Sequence, residues 1–200
     1  MKKLFVLIVA CFFAFISIQA QSSDVEVSTQ LSKVEQFKMK CSFIKEAQIY
    51  QYNGLSIKIY TKLFTNLETG ENTVALEFWQ PNVTKLVGTP APLGYLDLDQ
   101  VDDLLRALEM ILTESNNASK KEQFVISYTA PGGIDVFYTD GKTNSSRFVI
   151  FRKKWYSVDD YGLLTTNYSQ SMILLGIKEL PNVISSIKEA QLVGKQIFEK

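Results

Sequence analysis

The chain opens on an unbroken apolar run, Leu4 to Ile16, behind Met1-Lys2-Lys3 and ahead of Ser17-Ile18-Gln19-Ala20. A short basic start, an apolar stretch of this length and a small residue at its end form a secretory signal peptide, cut after Ala20. At 13 residues the run is short of the about 20 that a spanning helix needs. Ile8-Val9-Ala10-Cys11 has the look of a lipidation box, but Phe12 to Ile16 continue the apolar run past Cys11, which reads better as one more apolar residue of the signal. The pattern therefore sends the chain to the periplasm or outside the cell.

Beyond the signal, residues 21–34 are polar and read as a flexible lead-in. Strand-like alternation follows at Phe37–Phe43, Ala47–Tyr52, Leu55–Phe64 and Thr73–Trp79, with a further short strand at Val83–Val87. Asn66 to Asn72 is a hairpin turn by composition, and Pro90 and Pro92 break the chain. Val101, Leu104, Leu105, Leu108, Ile111 and Leu112 form one helical stripe, with Asp97 and Gln100 at capping-box spacing ahead of it. The second half repeats the theme. Strands are expected at Phe124–Tyr128, Ile134–Tyr138, Arg147–Phe151 and Met172–Ile177, with turns at Ala130–Gly133 and Asp140–Asn144. A last helix runs from Leu180 or Pro181 to near Phe198, with Val183, Ile184, Ile187, Ala190 and Ile197 on its stripe.

An offset of 79 residues aligns the halves. It places Gly54-Leu55-Ser56-Ile57 on Gly133-Ile134-Asp135-Val136, and Leu98, Val101, Leu104, Leu105 and Leu108 on Ile177, Leu180, Val183, Ile184 and Ile187. Trp79 and Trp155 fall in similar places before each helix. The expected fold is α+β: two tandem ββββα units, about 35–118 and 119–200, packed as one domain over 35–200, with antiparallel sheets and two main amphipathic helices.

This element order resembles the Whirly and PC4-like topology, in which β-rich units each end in a helix. No Whirly sequence motif accompanies it, so the resemblance implies a fold and not an activity. The segment Gly94-Tyr95-Leu96-Asp97 through Leu108 also resembles a stretch of small secreted bacterial proteins of unknown function.

Composition narrows the chemistry. There are 21 basic and 21 acidic residues and no histidine. Loss of Lys2 and Lys3 with the signal leaves a slightly acidic chain, which disfavours a general nucleic-acid binder. Without histidine the commonest general base, the usual triad base and most zinc sites are gone. The mature chain keeps one cysteine, Cys41, and so forms no internal disulfide; its place among alternating apolar residues reads as a small core residue rather than a reactive thiol.

Four features carry candidate chemistry. Asp97, Asp99, Asp102 and Asp103 offer oxygen ligands, but the glycine and terminal Glu of a calcium loop are missing, and an acidic first helical turn explains them. Arg147, Arg152, Lys153 and Lys154, interleaved with Phe148, Phe151, Trp155 and Tyr156, form the basic-aromatic cluster. Arg147, Arg152, Lys153, Lys154 and Trp155 are its expected contact patch, able to meet phosphates, lipid head groups or an acidic glycan. Asn-x-Ser/Thr sequons stand at Asn82, Asn117, Asn144 and Asn167, with Asn117 and Asn144 in expected loops. Carboxylate pairs for glycoside hydrolysis are not singled out, because their spacing is spatial. No motif calls for a cofactor or a metal. The reading is an exported, non-enzymatic binding module for a protein or envelope ligand. A carboxylate-based envelope glycan hydrolase and a single-stranded nucleic-acid binder are its alternatives.

Overall fold

A computed structural model describes residues 31–81, 92–117, 125–139, 148–158 and 164–198, with 148, 153–158 and 164–171 described by backbone alone. The first element is a helix, α1 (Lys33–Lys40). It replaces the strand expected at Phe37–Phe43, and its cap and first two residues fall inside the expected lead-in. Ser32 Oγ accepts from the Glu35 N–H and the Glu35 carboxylate accepts from the Ser32 N–H, a complete capping box. The spacing of Val34 and Phe37, both buried, overrides the alternation, which would have buried Met39 and Phe43; those two are exposed. Cys41 caps the helix C-terminus, half-buried with a free thiol.

Two four-stranded antiparallel sheets follow, one in each half. The first joins β1 (Ile44–Asn53), β2 (Lys58–Asn66), β3 (Asn72–Trp79) and β4 (Pro92–Asp97) in chain order. The expected break at Pro92 is instead the start of β4, which pairs Pro92 with Trp79. β4 is an edge strand, where a residue without an N–H costs no ladder bond on its open side. The short strand expected at 83–87 lies outside the described residues. The second sheet joins β5 (Val125–Thr129), β6 (Ile134–Thr139), β7 (Phe148–Val158) and β8 (Leu164–Gly176), again in order. The β5–β6 turn places Gly133 at φ 83°, which a side chain would resist.

The duplication is visible in the elements. Each sheet ends in a single 3-10 turn, Leu98–Gln100 and Ile177–Glu179, that opens directly into a helix. These helices are α2 (Val101–Asn117) and α3 (Leu180–Lys195). Glu109 and Lys188, equivalent under the 79-residue offset, meet in an ion pair at 2.7 Å. Contact between equivalent positions is what a local two-fold axis produces.

The halves exchange helices. α3, from the second half, packs across β1, β2 and β3 of the first, while α2 packs against β5 and α3. Thr61 Oγ1 donates to the Ala190 carbonyl at 3.1 Å. At Gly194 the approach is so close that a Cβ would stand 2.9 Å from Leu98 Cδ2 and 3.3 Å from Val74 Cγ1. One core results, containing Ile59, Leu76, Phe78, Leu104, Leu108, Val136, Phe151, Ile173, Val183 and Ile187. Of the expected stripes, Leu112 is half-buried and Ile197 falls in the turn after α3.

The opposite face of the first sheet is covered by α1. Val34 and Phe37 pack on Phe64 and Ala75, with Tyr95 alongside. The helix is pinned by Asp97 at the end of β4, whose carboxylate accepts from the Lys33 N–H at 2.6 Å and the Val34 N–H at 3.2 Å. The capping box expected between Asp97 and Gln100 is therefore absent, since Asp97 makes no side-chain cap to its own 3-10 turn. Beside α1, Lys62 bridges Glu46 and the buried Glu77, and Lys38 bonds the Tyr95 hydroxyl at 2.8 Å. Burial pushes the Glu46 carboxyl up, but the Lys62 and Lys38 ammonium groups outweigh it and hold it below its ordinary value of 4.5.

Two outcomes follow from this arrangement. Asp97→Ala should accelerate amide exchange across residues 33–40 and leave α2 protected; loss of protection in α2 instead would show that Asp97 serves its own helix. A carboxyl lowered on folding stabilises the fold above its unfolded pKa and ceases to do so as pH falls through its folded pKa. Glu46→Gln should therefore flatten the acid arm of the stability profile, seen in urea melts below about pH 4.5. The effect is small because Glu46 is 41% exposed.

Candidate docking face

Alternate residues of the second sheet face the core: Ile126 and Tyr128, Val136 and Tyr138, Val149 and Phe151, Ile173 and Leu175. Their neighbours face away. The register sets these outward positions in rows. One row crosses Ser127, Phe137, Ile150 and Leu174, and the next crosses Thr129, Asp135, Arg152 and Met172. Phe137 and Ile150 are half-buried, while Leu174 is 49%, Met172 43% and Val125 67% exposed. The result is a continuous apolar stripe from β6 to the β8 edge.

A neutralised pair crosses this face. Arg152 Nε donates to Asp135 Oδ2 at 2.7 Å, and its guanidinium lies 4.4 Å from the centre of the Phe137 ring. Asp135 is almost wholly buried and also accepts from the Thr129 hydroxyl at 2.7 Å. The arginine thus spends its charge on a buried carboxylate and an aromatic face, two of the partners that suit a guanidinium.

Of the expected contact patch, Arg152, Lys153, Lys154 and Trp155 are consecutive on β7. Arg152 lies on the outward face. Lys153 stands at the register position of Ile134, where β6 ends its pairing with β7. Lys154 and Trp155 stand opposite Tyr168 and Asn167, where β7 and β8 continue as a two-stranded ribbon beyond a bulge. Arg147 lies outside the described residues. Of the sequons, Asn117 is the last residue of α2 rather than a loop residue, and Asn167 is in β8. Asn82 and Asn144 lie outside the described residues.

The acidic group is divided among separate partners. Asp97 holds α1, Asp99 meets Lys33 at 2.6 Å, Asp102 accepts from Gln191 at 2.9 Å, and Asp103 pairs with Arg106. Among the described residues no group of three or more His, Cys, Asp or Glu is placed to hold a metal ion. A cavity of about 200 Å³ lies against Lys33, Val74, Asp97 and Phe198, but both Asp97 oxygens already accept from α1.

The apolar stripe has a signal in the sequence. Phe148-Val149-Ile150-Phe151 and Met172-Ile173-Leu174-Leu175 are unbroken apolar runs on neighbouring strands. A run without alternation makes both faces of a strand apolar. Here Val149, Phe151, Ile173 and Leu175 are buried, while Ile150 is half-buried and Met172 and Leu174 are exposed. Scans of the sequence against protein-family models and against curated proteins find no match.

The Arg152–Asp135 pair is testable by a double-mutant cycle. Asp135→Ala, which removes the buried carboxylate from the half-buried guanidinium, should cost about 1.5–3 kcal/mol in urea unfolding. Asp135→Leu with Arg152→Met should recover most of that loss. Equal loss in the double variant would show that the pair is held by other contacts.

Proposed function

We propose that the protein is an exported, non-enzymatic binding module that holds a partner on the outer face of its second sheet. One contrast carries the reading. In the first half α1 covers the outward sheet face over β3 and β4, whereas in the second half the equivalent face shows Val125, Met172 and Leu174 to solvent beside Phe137 and Ile150. Covering each such side chain is worth about 1.5–3 kcal/mol when burial is complete. Contiguous exposed apolar surface of this kind is the usual mark of a contact site.

The export reading rests on the signal-like start. The binding reading is supported by the absence of a histidine and by carboxylates committed to ion pairs and helix caps, as at Glu46, Glu77, Asp97 and Asp135. Arg152, the patch residue whose side chain is described, is committed to Asp135 and Phe137, which favours an apolar partner surface over a phosphate backbone.

A photo-crosslinking residue at position 172 or 174 of the full chain, in cells that export it, should give discrete adducts. The same residue at Met110, equally exposed on α2, should give none. Adducts no stronger at 172 and 174 than at 110 would overturn the proposal.

A further inference from the structure

We infer that the open face of the second sheet takes a short amphipathic helix of a partner, seated as α1 is seated on the first sheet. The inference rests on the reading of that face as the contact site. The chain itself supplies the template. α1 spans eight residues and covers the β3–β4 side of a four-stranded antiparallel face with two apolar side chains three apart, Val34 and Phe37. On that first face Lys38 lies 4.3 Å over the Phe64 ring and 4.4 Å over the Tyr95 ring. On the second face Arg152 already lies over Phe137 at a similar distance. An incoming helix therefore needs no cation of its own there. An apolar stripe with one aromatic residue fits what is left, namely Ile150, Leu174 and Met172.

Size favours a helix over a second copy. Four strands spaced about 4.8 Å apart, over the five described residues of β5, give a face of roughly 300 Å² among the described residues. A stable dimer buries about 800 Å² on each partner. A helix of two to three turns is about 12–15 Å long and 10 Å across, which matches the face. The exposed apolar groups also lie on the sheet's face and not along its hydrogen-bonding edge, so they suit a helix better than an added strand.

The probe is a stapled helical peptide carrying the sequence of residues 31–40, titrated into the mature chain labelled at its methionine methyls. The Met172 methyl should shift saturably while the Met110 methyl stays fixed. A peptide with alanine in place of its Phe37 should bind about tenfold more weakly. Leu174→Glu should abolish the Met172 shift, with unchanged Met39 and Met110 signals showing that the fold is intact. Met172→Glu, read by an amide spectrum, provides the second variant. An unshifted Met172 methyl at millimolar peptide would overturn the helical occupant. If crosslinks from 172 and 174 persist in that case, the face is a contact site for something other than a helix; if both fail, the open-face reading falls as well. A concentration-dependent dimer removed by Leu174→Glu would assign the face to a second copy and overturn the inference.

Discussion

Each sheet of this protein has an apolar inner face, and the helix that continues from one sheet packs on the other half. α3 lies across β1, β2 and β3, and α2 packs on β5 and on α3. This exchange fuses the two ββββα units into one core, because neither sheet keeps its cover if the other half departs. It also locates the local two-fold axis, which passes where Glu109 meets its equivalent, Lys188. At Gly194 the backbone of α3 comes close to the Val74 and Leu98 side chains, and a Cβ there would push the Leu98 methyls aside.

The symmetry of the inner faces makes the asymmetry of the outer faces informative. The first sheet carries α1, fixed by a full capping box, by the Asp97 carboxylate and by the stacking of Lys38 on Phe64 and Tyr95. Beneath its edge the chain tolerates a buried Glu77 because Lys62 stands 2.7 Å away. The second sheet places an arginine and a buried aspartate on the equivalent face beside the apolar Phe137, Ile150, Met172 and Leu174. The same architecture thus covers part of one face with its own helix and leaves Val125, Met172 and Leu174 exposed on the other.

Much of the architecture was legible in the sequence. The stripes of α2 and α3, the repeated element order and the shared offset were all readable, because a helix covering a sheet must keep its apolar period. Three features were not. Val34 and Phe37 carry the period of α1, but the alternation of Phe37, Met39, Cys41 and Phe43 masked it over so short a helix. Pro92 read as a break because a sequence does not show which strand will be an edge. Asp97 sat at capping distance from Gln100, yet its carboxylate serves a helix 64 residues earlier in the chain. The docking face was half legible: the basic-aromatic cluster pointed to Arg152, but the buried Asp135 that neutralises it is brought there only by the β6–β7 register.

The exchange of helices is the claim on which the core, the two-fold relation and the contrast of outer faces rest. Nuclear Overhauser contacts in the folded chain read it most directly. The account predicts cross-peaks from the Gly194 α-protons to the Val74 and Leu98 methyls, and from Ala190 to Thr61. Cross-peaks from Gly194 and Ala190 to methyls of Val149 or Ile173 in their own half, with none to Val74, would contradict it.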